Sequence, residues 1–89
     1  MFFNCNNLKG FYSSLSNLTD GQAMFQNCNN LTLFNVNMPS LIDGDYMFSN
    51  TGIKLFISDL GSLINGTSMF SSCQNLVLFS SELPNLTNG

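Results

Sequence analysis

Charged residues are scarce in this sequence: two cations, Lys9 and Lys54, stand against five carboxylates, and histidine and tryptophan are missing altogether. A net charge of -3 leaves nothing to neutralise a run of phosphates, which excludes nucleic-acid binding by charge and docking on anionic lipid. Without histidine or a Cys-x-x-Cys pair the chain lacks the converging ligands of a metal site, and no cofactor motif is present. No apolar run approaches the roughly 18 residues of a membrane span, so direct membrane insertion is not expected. The opening Met1-Phe2-Phe3-Asn4 has neither the basic start nor the continuous apolar stretch of a signal peptide.

What is present is repetition. Met1-Phe2 restarts at Met24-Phe25, Met47-Phe48 and Met69-Phe70, at intervals of 23, 23 and 22 residues. The first, second and fourth copies continue with Cys, Asn-Leu, Phe, an apolar residue, Leu and Gly. The fourth has Cys73, Asn75, Leu76, Phe79, Leu83, Pro84, Leu86 and Gly89; the second has Cys28, Asn30, Leu31, Phe34, Met38, Pro39, Leu41 and Gly44. The third drops one residue after Thr51 and regains phase at Ile53, Phe56, Leu60, Leu63 and Gly66. The chain is therefore read as one array over residues 1–89, with repeats 1–23, 24–46, 47–68 and 69–89. Both ends fall in register with the repeat, as expected for a fragment of a longer array.

Composition at 44% apolar is that of a folded chain. The Asn-Leu-x-x-Phe segment suits a short strand, Leu-Pro-x-Leu a second extended piece, and Asp20-Gly21, Asp43-Gly44, Asn65-Gly66 and Asn88-Gly89 a turn in which glycine supplies a positive φ. Met-Phe is assigned to about one helical turn. Seven apolar side chains do not offset the ordering of a whole repeat, so copies must stack, pairing their strands in parallel. The expected fold is a mainly β repeat solenoid with coils of about 23 residues, Phe11, Phe34, Phe56 and Phe79 lying one above another inside it.

Phe25, Cys28 and Leu31, Phe70, Cys73 and Leu76, and Phe2, Cys5 and Leu8, with Leu41-Gly44 or Leu86-Gly89 at the turn, resemble the BspA-type leucine-rich repeat family of lipoprotein-associated surface proteins. The resemblance covers the whole chain and departs from the pattern at Thr51 and in the shortened third copy. It implies leucine-rich-repeat-like coils, an extracellular or cell-surface location, and adhesion or protein binding.

Three residue sets bear on chemistry. Cys5, Cys28 and Cys73 share one position, filled by Thr51 in the third copy, and are expected to be buried and reduced, although stacking would bring Cys5 and Cys28 within disulfide reach. Asp20 with Asp43, and Asp59 with Glu82, would stack about 5 Å apart, the separation of a retaining glycosidase, but repetition alone generates such pairs and solvated surface is the expectation. Asp43-Gly44-Asp45 has Lys54 where a calcium loop needs its glutamate, so calcium binding of that type is rejected. Asn17-Leu18-Thr19, Asn30-Leu31-Thr32, Asn65-Gly66-Thr67 and Asn85-Leu86-Thr87 fit the N-glycosylation pattern, which repeat composition also produces. Asn7, Asn30 and Asn75, beside the core leucine, are expected to bond backbone groups at the bend and to form a ladder.

The candidate binding surface is the strand face: Leu33, Leu55 and Leu78 align along it, with Val36, Ile57 and Val77 beside them and Tyr12 in the first copy. An outward apolar stripe of this kind marks a partner surface, although strand propensity alone favours such residues too. The expected function is a non-enzymatic binding module contacting a protein or a glycan; the alternative is a structural spacer in a larger surface or viral appendage. Uncovered ends make end-to-end self-association of the segment a further expectation.

Overall fold

The computed structural model describes residues 4–11, 14–80 and 86. Four short strands, β1 (Gly10–Phe11), β2 (Leu33–Asn35), β3 (Leu55–Ile57) and β4 (Leu78–Ser80), form one parallel sheet in chain order. Register follows the sequence period: Phe11 pairs with Phe34, Phe34 with Phe56 and Phe56 with Phe79. A second parallel ladder runs through Asp20, Asp43 and Asn65.

Aromatic rings form the centre of the core. The strand rings Phe11, Phe34, Phe56 and Phe79 stack at centroid separations of 5.9, 5.5 and 5.3 Å. Phe25, Phe48 and Phe70 make a second column at 5.4 Å per step. The columns interlock edge to face: Phe48 meets Phe34 at 4.8 Å and Phe56 at 5.1 Å. Offset columns give every interior ring both favoured aromatic geometries at once. Leu31, Met38, Leu41, Ile53, Leu60 and Leu63 close the core around them. Phe79 departs from the expected burial: it is 39% exposed, because it belongs to the outermost strand of the sheet and, among the described residues, no further strand covers it.

The Met-Phe segment is not a helical turn, and there is no helix among the described residues. Its amides alternate in use. Those of Met24, Gln26 and Cys28 bond back to the carbonyls of Gly21, Ala23 and Phe25, whereas those of Ala23, Phe25 and Asn27 reach across to Asp45, Met47 and Ser49 of the next copy. The third copy repeats this, with Tyr46, Phe48 and Asn50 donating to Thr67, Met69 and Ser71. A helix would consume all these donors internally; the alternation spends every second one on the neighbouring copy.

That alternation requires left-handed residues on both sides of Met-Phe. Asn4, Asn27, Asn50 and Ser72, three residues after the methionine position, have φ of 62, 64, 58 and 61°. Ala23, Tyr46 and Ser68, immediately before it, have φ of 55, 58 and 53°. Asparagine tolerates this region better than most residues, which accounts for its recurrence.

Contrary to expectation, no described glycine has a positive φ. Gly21 and Gly44 are needed for closeness instead. A Cβ on Gly21 would lie 2.9 Å from Met47 Sδ, and one on Gly44 3.2 Å from Met69 Cε. Each methionine thus lies over the glycine of an earlier turn, and the Asp-Gly sites are packing sites.

Candidate functional site

Along β2 and β3 the phenylalanine points inward and its neighbours point outward, giving burial patterns of intermediate, buried, exposed and exposed, buried, intermediate. Leu33, Leu55 and Leu78 are paired residue for residue across the sheet, as the stripe requires. Leu55 is exposed, Leu33 half-buried, and nothing further is described of the Leu78 side chain. Tyr12 lies outside the described residues.

The remaining stripe residues do not share one row. Ile57 is half-buried and pairs with Asn35 and Ser80, in a row with a polar neighbour on each side. Val77, 81% exposed, lies in the row before the strand, where its amide bonds Lys54, whose amide bonds Thr32, whose amide bonds Lys9. Val36 is a correction: it is buried in the core. Two residues beyond Phe34, it returns to the inner face by the period-two alternation that places Asn35 outside. The exposed face is therefore a mixed surface, with Leu33 and Leu55 flanked by Thr32 and Lys54 on one side and Asn35 and Ile57 on the other.

Sequence reasoning missed a second outward apolar pair. Ile42 and Ile64 are both exposed and lie in successive copies, the Ile64 amide bonded to the Ile42 carbonyl at 3.0 Å. Leu41 and Leu63 beside them are buried, so the Leu-Ile dipeptides carried the signal: one of two adjacent apolar residues in extended chain must face out.

The carboxylates have local work. Asp20 Oδ1 accepts from the Gln22 amide, Asp43 Oδ1 from Asp45 and Asp59 Oδ1 from Gly61, each at 3.1 Å. These are Asx turns, which fix the corners of the chain. Asp45 Oδ1 accepts from the Thr67 amide at 2.9 Å, across to the next copy. Glu82 lies outside the described residues. No cluster of three acidic, cysteine or histidine residues that could hold a metal occurs among the described residues.

All three cysteines are free thiols, but only Cys28 is buried; Cys5 and Cys73 are partly exposed, since each lies toward an end of the sheet. Burial pushes the Cys28 thiol above its ordinary value, while a backbone hydrogen bond from the neighbouring Cys5 acts the other way. Cys73 Sγ lies 3.3 Å from Thr51 Oγ1 and donates to the Phe48 carbonyl at 3.0 Å. Threonine therefore serves the cysteine position by bonding along the column.

The asparagine expectation holds in part. Asn30 donates its side-chain amide to the Asn6 carbonyl of the preceding copy. The side-chain ladder itself runs elsewhere, through the left-handed position, where Asn50 Nδ2 donates to Asn27 Oδ1 at 3.0 Å. No protein-family model, curated protein or solved structure matches the chain.

Proposed function

We propose that the chain is a non-enzymatic repeat module, a leucine-rich-repeat-like solenoid of four coils, which offers its strand face to a protein or glycan partner at a cell surface. The observation that carries this is the outward row of Leu33 and Leu55 in register, with Val77 81% exposed beside it. Exposed apolar residues grouped on a sheet rather than scattered fit a contact surface rimmed by polar groups, here Thr32, Lys54 and Asn35. The acidic side chains support a binding role over catalysis, because three of them are engaged in turns of their own backbone.

A spacer role is favoured by a different observation, the backbone bonding that links every described copy to the next and would resist extension. The two are separated by screening glycan arrays and displayed peptides against the wild type and a Leu55→Asp, Val77→Asp double variant. A binding module retains ligands that the double variant loses while its circular dichroism is unchanged. Ligands held equally by both, or none at all, would count against it.

A further inference from the structure

We propose that the shortened third copy forms a binding notch for an uncharged sugar unit of a glycan, built from residues that precede the strands and separate from the strand face. The other copies place two residues between the cysteine and the leucine, Asn6-Asn7, Asn29-Asn30 and Gln74-Asn75, each pair in a turn. The Leu31 amide closes one such turn on the Cys28 carbonyl at 3.0 Å, and Leu8 closes another on Cys5 at 3.2 Å. The third copy has Gly52 alone in that place, and residues 51–53 run without a turn. A row of paired polar side chains is therefore interrupted in its middle.

The interruption is a recess of about 320 Å³, with Asn29 from the second copy, Thr51 and Gly52 from the third, and Ser72, Gln74 and Asn75 from the fourth. That volume falls at the small end of ligand pockets, which run from roughly 300 to 1,000 Å³. Gly52 keeps it open. A Cβ there would lie 2.6 Å from the Asn29 carbonyl oxygen, so the position between the two walls rejects a side chain.

The walls define the ligand's chemistry. Asn30 and Asn50 already spend their side-chain amides on Asn6 and Asn27 of the preceding copies, whereas those of Asn29, Gln74 and Asn75 are exposed and bond no described residue. Each amide head offers an acceptor oxygen beside a donor nitrogen. Neighbouring hydroxyls on a sugar ring, which both donate and accept, match that pairing without charge. An anionic ligand would meet no cation among the lining residues, and an apolar side chain would meet no apolar wall.

An array of neutral oligosaccharides built from hexose and N-acetylhexosamine units tests this, with retained members then titrated against the protein and followed by amide-resolved NMR. Shifts in the wild type should centre on Thr51, Gly52 and Gln74. An Asn29→Ala, Gln74→Ala double variant removes one exposed amide head from each wall; it should keep its circular dichroism spectrum and bind the same sugars about tenfold more weakly. Gln22→Ala, exposed in another turn, should bind as wild type does. The Leu55→Asp, Val77→Asp protein should also keep these sugars, so that ligands it loses report on the strand face and those lost with Asn29 and Gln74 report on the notch. An array that retains no neutral sugar, equal affinity in the Asn29→Ala, Gln74→Ala protein, shifts confined to the strands, or an uncharged peptide held by the notch in place of any sugar would each overturn the proposal.

Discussion

Phe34 and Phe79 occupy the same place in the repeat, on paired strands of one sheet, yet Phe34 is fully buried and Phe79 is 39% exposed. The same contrast holds for the turn rings, with Phe48 fully buried and Phe70 only partly so. Nothing in the residues themselves differs. Burial in this molecule is conferred by the copy on either side, so the energy of a side chain depends on its place in the series.

The largest effect expected from this contrast is at the rings. Phe34→Ala removes a ring that touches Phe11, Phe25, Phe48 and Phe56, and should cost about 3 to 5 kcal/mol. Phe79→Ala should cost less than half as much, since part of that ring is already in water. Denaturant melts of the two variants measure the ratio, and equal losses would break the comparison.

Backbone approach sharpens it next. A Cβ on Gly52 would lie 2.6 Å from the Asn29 carbonyl oxygen, a backbone atom of the preceding copy that has little room to give, so Gly52→Ala should destabilise by about 1 to 3 kcal/mol. At Gly61 the nearest atom is Asp59 Oδ1 at 3.4 Å, and alanine there should be neutral or slightly stabilising. Thermal unfolding of both proteins checks the sign at each site.

A smaller gain is expected where the interior is imperfect. Ser58 is buried in the third copy, at the place that Val36 fills in the second, and its hydroxyl has no hydrogen-bond partner among the described residues. Ser58→Val should therefore stabilise by about 1 kcal/mol. A loss of stability on that substitution would mean that the hydroxyl is satisfied in solution.

The cysteines carry the contrast into reactivity. Cys28 lies inside and its thiol is pushed up by burial, whereas Cys73 is partly exposed. Thiol labelling of the native protein should modify Cys73 well before Cys28, and Cys28 should become reactive only as the pH rises above the ordinary thiol range of about 8.5. The native state holds the Cys28 proton more tightly than the unfolded chain, so this residue's contribution to stability is intact below that range and lost as the pH climbs through it.

Much of the fold was legible in the sequence because its period is the period of the pairing: Gly10 to Leu33, Leu33 to Leu55 and Leu55 to Leu78 are the steps of the repeat itself. The inward phenylalanines and leucines followed from alternation. What was not legible is the chain's handling of its turns. Asp-Gly reads as a positive-φ turn, and only the placement of Met47 and Met69 reveals that glycine is there for room. The left-handed positions fall on Ala23, Tyr46 and Ser68 as well as on asparagines, and alanine and tyrosine carry no local signal for that conformation. Val36 is different: alternation from Phe34 puts it inside, and only its alignment beside Leu33 suggests the outer face.

Amide hydrogen exchange, resolved by residue, addresses the dependence of each copy on its neighbours most directly. Protection should be highest for Phe25, Asn27, Gly44 and Phe48, whose amides bond across to the following copy, and lowest for Ser68 and Phe70, whose amides meet no such carbonyl among the described residues, under dilute conditions that keep the chain monomeric. Equal protection of Phe48 and Phe70 in that monomer would contradict the account, because it would mean that a copy holds its structure without the one that follows.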